Sequence, residues 1–231
     1  LAGMAMLGLL FVREGNDAET SLTPPAFIFV DETKEVSATG LSRESLLQSL
    51  VVARNETSLS LGLIRQVYLT TQTGTTTKEF VPAASFVSLL SPEAPTDLLR
   101  TLENPFMLGV HVFEGNQPFL IFKVDVFDQA FRAMLDFEPR LEQALTPLFS
   151  RVPRPRLPGE STQATPARFL ESHFVDRIID NRDTRALTDD SGKILLLWTF
   201  LDRRTLVITT NEHTLREIVS RLKNAPRLPL P

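Results

Sequence analysis

Phe106-Met107-Leu108-Gly109-Val110-His111-Val112-Phe113, then Glu114-Gly115-Asn116-Gln117, then Pro118-Phe119-Leu120-Ile121-Phe122-Lys123-Val124 is the stretch on which the fold turns. Two runs rich in β-branched and aromatic residues flank a short polar segment containing glycine, and that pattern predicts a β-hairpin. Asp125 follows at once and is suited to cap a helix. Behind it Phe127, Phe131, Met134, Leu141, Leu145 and Leu148 recur at helical spacing, which predicts one buried stripe. Glu138 interrupts that stripe. Pro139 removes a backbone donor and crowds the carbonyl of Leu135, so a kink or a break into two helices is expected there.

A second unit of the same kind lies near the C-terminus. Residues 185–188, 193–200 and 205–209 read as a three-stranded meander, turning at Asp189-Asp190-Ser191-Gly192 and Leu201-Asp202-Arg203-Arg204. Asn211 then caps a helix with Leu215, Ile218, Val219 and Leu222 on one face. Phe119-Leu120-Ile121-Phe122 before Asp125 echoes Leu206-Val207-Ile208-Thr209 before Asn211. Two duplicated β-β-α units would pack their helices on one face of an antiparallel sheet. Any hairpin followed by a capped helix gives the same echo, so both origins stay open. The expected class is α+β, an antiparallel sheet with helices packed on one face, behind an N-terminal membrane anchor.

Upstream, residues 26–30 read as a buried strand, and Ser42 caps a helix presenting Leu46, Leu47, Leu50 and Val51. Residues 63–71 form a strand with Leu63, Val67 and Leu69 on one side and Arg65 opposite. Residues 73–77 are a turn. Pro82 takes the first position of a short helix carrying Phe86, Val87, Leu89 and Leu90, and residues 96–102 are a further helical piece. Residues 151–166 hold four prolines and a glycine and read as a semi-rigid linker or surface loop. Residues 168–179 suit helix or strand, with Val175, Ile178 and Ile179 favouring strand in the second half.

The first twelve residues, Leu1-Ala2-Gly3-Met4-Ala5-Met6-Leu7-Gly8-Leu9-Leu10-Phe11-Val12, are uncharged. As a helix they reach roughly 18 Å against a hydrocarbon layer of about 30 Å, so they read as the outer end of a transmembrane helix. A core helix would show polar residues at intervals, and a signal peptide would end in small residues. The flank sets Arg13 against Glu14, Asp17 and Glu19, which leans towards an extracytoplasmic domain. The expected organisation is 1–12 end of a transmembrane helix, 13–25 polar tether, 26–150 an α+β lobe, 151–166 linker, and 167–225 a meander with the last helix.

Composition narrows the function. The chain of 231 residues has net charge −4, without the basic surface that nucleic acid requires. It contains no cysteine, which removes disulfides, a thiol nucleophile and thiolate zinc sites. Sixteen phenylalanines against one tryptophan and one tyrosine indicate core filling rather than sugar or base stacking.

Candidate chemistry is sparse. His111, His173 and His213 are isolated in sequence and read as structural or solvated. Residues 188–194 approach the middle of a calcium loop, yet the first ligand position falls on Leu187 and the bidentate position on Trp198, so a hairpin turn is the better reading. Asp176, Asp180, Asp183, Asp189 and Asp190 alternate with Arg177, Arg182 and Arg185, as on a solvated or self-paired surface. Nucleophile elbows, phosphate-binding glycine loops and zinc-protease motifs are missing from the sequence. Arg151, Arg154 and Arg156 could meet lipid phosphates or an acidic partner, and a solubilising loop is preferred. No catalytic, cofactor-binding or metal-ligating residue is assigned, and no cofactor is expected.

Phe106-Met107-Leu108-Gly109-Val110, residues 119–124, Ala130-Phe131, Asn181-Arg182-Asp183-Thr184-Arg185, residues 192–200, residues 206–210, Arg216-Glu217-Ile218 and Arg221-Leu222 form a further pattern. In these stretches the chain resembles uncharacterised single-span membrane proteins of the candidate-phyla-radiation bacteria. The resemblance implies an envelope protein and transfers no catalytic residue. The function expected from all of this is a membrane-anchored extracytoplasmic structural or protein-interaction domain of a bacterial envelope assembly. Its partners would be the membrane, through the N-terminal helix, and another protein, with no nucleic acid. Two alternatives remain: an envelope polymer hydrolase using the acidic residues, and a sensor of a small apolar ligand held in a Phe-lined cavity.

Overall fold

Residues 22–56, 59–73, 77–149 and 173–224 are described by the computed structural model. In chain order they form β1 (Glu32–Ser37), α1 (Arg43–Asn55), β2 (Ile64–Thr73), β3 (Thr77–Phe80), α2 (Ala83–Leu90), α3 (Thr96–Thr101) and β4 (Leu102–Val112). They continue through β5 (Asn116–Val124), α4 (Phe127–Phe149), β6 (Phe174–Ile179), β7 (Arg182–Thr188), β8 (Ile194–Asp202), β9 (Thr205–Thr209) and α5 (Glu212–Asn224). The fold is α+β. One nine-stranded sheet runs in the order β1-β2-β4-β5-β9-β8-β7-β6, with β3 also on β2. All pairs are antiparallel except β1 with β2.

The central hairpin forms as its sequence predicts, from Met107↔Ile121 to Val112↔Asn116. Glu114 (φ 49°) and Gly115 (φ 107°) take the left-handed backbone that a tight reversal needs. The C-terminal meander has four strands, because residues 174–179 become β6. Pairing of β5 with β9, from Phe119↔Thr209 to Lys123↔Thr205, joins the two halves of the chain in one sheet.

Alternation along the central strands builds two cores. Leu108, Leu120, Phe122, Trp198, Leu206 and Ile208 meet α1 to α4 on one face. Met107, Phe119, Ile121, Leu197 and Val207 meet Ile28 and the Leu215 and Ile218 of α5 on the other. Thus four helices share one face and the fifth covers the reverse. Both β-β-α units exist in chain order, but α4 and α5 leave on opposite sides. The two-fold that exchanges antiparallel neighbours β5 and β9 stands perpendicular to the sheet and would keep both helices on one side. A rotational duplicate therefore does not describe the arrangement.

Arginines close three helix ends. Exposed carbonyls and the negative end of the helix dipole attract a cation there. Arg43 donates to the carbonyls of Leu89 (2.6 Å) and Leu90 (2.9 Å) at the end of α2. Arg54 donates to Leu148 O at the end of α4, and Arg65 donates to Ala53 O and Glu56 O at the end of α1. Arg65 was expected opposite Val67 and Leu69. It shares their face, because strand alternation fixes direction and the end of α1 supplies acceptors for the buried cation.

Other expectations are corrected. Residues 26–30 are not a strand; they cross the reverse face with Ile28 in the core, and the strand begins at Glu32. Asp125 is not the cap of α4, whose first turn has Ala130 N–H donating to Val126 O (3.0 Å). Pro82 stands just before α2, and Asn104 Oδ1 accepts from Ala83 N–H (2.7 Å). No break occurs at Pro139, since α4 runs through Pro139 and Pro147 as one helix. Met134, Phe137, Leu141, Ala144 and Leu145 hold both halves on the sheet, and this burial outweighs one lost backbone bond.

The single-pass membrane location, and the extracytoplasmic and envelope assignments that rest on it, are also corrected. Among the described residues no helix is long and apolar enough to cross a membrane. The longest, α4, carries charges on one side and buries its apolar stripe against the sheet. Residues 1–12, residues 74–76 of the turn expected at 73–77, and the linker expected at 151–166 lie outside the described residues, while Thr73 and Thr77 end β2 and begin β3.

Candidate functional site

The five aspartates singled out in sequence do not converge. Asp176 pairs with Arg185 (2.8 Å) and Asp180 with Arg216 (3.0 Å), while Asp183 and Asp190 are exposed. Asp189 Oδ1 accepts from Ser191 N–H (2.9 Å), Ser191 Oγ–H (2.6 Å) and Lys193 N–H (3.0 Å). The Ser191 hydroxyl and these amides hold that carboxyl below its ordinary value. It is the side-chain lock of a hairpin turn. Among the described residues no three His, Asp or Glu side chains gather as metal ligands.

His111 is buried on the reverse face, its Nδ1 3.0 Å from Thr214 Oγ1 of α5. Its ring stacks with Phe113, and Phe113 stacks on His213 at 4.3 Å. Burial pushes the His111 imidazole below its ordinary value, with Glu217 opposing. The histidine serves the packing of α5. His173 stands exposed before β6.

Glu138 explains the interruption of the α4 stripe. Its carboxylate accepts from Arg185 Nε (2.8 Å), Arg185 Nη2 (2.7 Å) and Trp198 Nε1 (3.0 Å). Glu138 and, less directly, Asp176 keep the Arg185 guanidinium more firmly protonated than usual. This network ties α4 to β7 and β8.

An apolar cavity lined in part by Phe122 and Phe137 lies beneath α2, α3 and α4, but its volume is about 20 Å³. That is room for about one water molecule, whereas ligand pockets run to several hundred Å³. The ligand-sensor alternative finds no site there.

One feature that could receive a partner is at the end of the sheet. Among the described residues, β1 has β2 on one side and no strand on the other. The bond from Ala38 N–H to Thr70 O (2.7 Å) sets the phase of the parallel ladder, so Thr33, Glu35 and Ser37 turn their backbone N–H and C=O outward. Beside this edge α1 forms one wall of a groove of about 520 Å³, lined by Lys34, Val36, Ser45, Ser49 and Val52 among others. Val52 is 56% exposed.

Every charged side chain of β1 already has a partner. Glu32 pairs with Arg65 (2.9 Å), Lys34 with Glu56 (2.7 Å) and Glu35 with Lys78 (2.9 Å). Thr70 Oγ1 also donates to Glu35 (2.6 Å), and with Lys78 it holds that carboxyl below its ordinary value. The other end of the sheet differs. On β6, Arg177 is exposed and makes no ion pair among the described residues, a charge that discourages strand pairing. Sequence reasoning missed the β1 edge because Glu-Thr-Lys-Glu-Val-Ser lacks the apolar alternation that announces a strand.

Comparison with known proteins finds no matching family, curated protein or solved structure.

Proposed function

We propose that this chain is a non-catalytic protein-interaction domain that takes an extended segment of its partner as an added strand beside β1. The observation that carries this reading is the open six-residue edge of β1 facing a groove walled by α1. In strand addition, main-chain hydrogen bonds supply affinity and alternate side chains supply selectivity. Thr33, Glu35 and Ser37 offer the main-chain groups. Val36 and Val52 offer an apolar contact on the groove side.

The test is to pan a displayed library of random octapeptides against the immobilised full chain and titrate the enriched peptides. Thr33→Pro removes an outward donor and leaves the ladder to β2 in place, a position where an edge strand accepts proline. Val52→Asp charges the groove wall. Each variant should weaken binding at least about tenfold, the scale of one or two lost contacts, with little change in melting temperature. Failure to enrich any peptide, or peptides bound equally by both variants, refutes the proposal.

A further inference from the structure

Resting on that reading, we infer that the segment received at β1 is uncharged and carries a small or β-branched apolar residue at every second position. The sequence of β1 alone suggests the opposite, since Glu32, Lys34 and Glu35 would favour a charged ligand. The folded edge has no charge to spare. An acidic residue brought to Lys34 must compete with Glu56 at 2.7 Å, and a basic residue brought to Glu35 must displace Lys78 at 2.9 Å. Both pairs are partly exposed, so exchanging one partner for another gains little and loses hydration of the newcomer.

The serines of α1 and its cap are equally self-sufficient. Ser49 Oγ–H donates to Ser45 O (3.0 Å), and the hydroxyls of Ser42 and Ser45 lie 3.0 Å apart in hydrogen-bond contact. These serines present satisfied polar groups rather than open ones. About one turn beyond Ser49, Val52 stands exposed, and the buried Val36 lines the groove from β1. Alternation directs every second side chain of an added strand towards α1. Those positions meet the methyl groups of Val36, Val52 and Ala53, satisfied hydroxyls, the Gln48 amide and the paired Lys34 and Glu56, and compact apolar side chains match the methyl-lined part. The intervening positions face the reverse side beside the occupied Glu35–Lys78 pair, where neutral polar residues suffice.

The composition of the enriched octapeptides and the salt dependence of their binding test the inference. Uncharged sequences with alternate apolar residues, and a dissociation constant changing less than about twofold from low to high salt, support it. Acidic or basic sequences whose binding weakens several-fold with salt, yet is still lost in Thr33→Pro, overturn it while strand addition stands. Binding insensitive to Thr33→Pro overturns the reading beneath it instead. Glu56→Gln gives a second arm, because it frees Lys34. Selection against that variant should shift towards peptides with one acidic residue and a new salt dependence. An unchanged selection there refutes the claim that internal pairing sets the preference.

Discussion

Glu138→Ala deletes a carboxylate that accepts three hydrogen bonds, two from Arg185 and one from Trp198. Its side chain is 11% exposed and that of Arg185 is 21% exposed. Removing one member of a fully buried pair costs about 3–5 kcal/mol. Here Arg185 keeps two acceptors, Asp176 and the carbonyl of Phe174, so the loss is smaller, about 2–4 kcal/mol. In a domain of this size each kcal/mol moves the melting temperature by roughly 2–4 °C, so a loss of about 3 kcal/mol lowers it by about 6–12 °C. Trp198 is the only tryptophan of the chain, so its emission reports both the unfolding transition and the loss of its hydrogen-bond acceptor. The contrast is Asp176→Ala, which removes the 90% exposed partner of the same arginine and should stay within about 0.5 kcal/mol. In a double-mutant cycle Glu138 and Arg185 should couple by more than about 1 kcal/mol. Equal, small effects of Glu138→Ala and Asp176→Ala would show that the network does not hold α4 on β7 and β8.

Gly109→Ala should destabilise by about 2–3 kcal/mol in urea titration, because its new Cβ would overlap the buried ring of Phe119 directly opposite. Phe119→Leu in the same chain should recover part of that loss, and no recovery would place the strain elsewhere. His111 gives a pH dependence: with its folded value below the ordinary histidine value of about 6.5, the unfolded chain binds a proton that the folded chain refuses. Stability from this group is full above about pH 6.5 and is lost as pH falls below it, so urea midpoints measured against pH should slope in that window and flatten in His111→Asn. An unchanged slope in the variant would assign the effect to another group. Asn211→Ala removes the acceptor of Thr214 N–H (2.9 Å) and should cost about 1 kcal/mol, with faster hydrogen exchange in the first turn of α5. Exchange rates equal to those of the parent would show that the cap is dispensable.

What the sequence alone determined is local. The central hairpin, the Ser42 and Asn211 caps, β9 at Thr205–Thr209 and the stripes of α1, α4 and α5 were legible because each depends on residues a few positions apart. Tertiary structure decided the rest. The face taken by α5 depends on how β5 meets β9, and no local period encodes that pairing. Glu138 looked like a flaw in a stripe until Arg185 and Trp198, distant in sequence, arrived beside it. Pro139 predicted a kink or a break, and burial on both sides of it kept one continuous helix. Arg65 was expected opposite Val67 and Leu69, yet it shares their face, where the end of α1 lies to receive it. The candidate site was the least legible feature. A polar edge strand has no apolar signature, and its openness is a property of the completed sheet. Its neutrality likewise comes from Arg65, Glu56 and Lys78, which only folding brings to Glu32, Lys34 and Glu35.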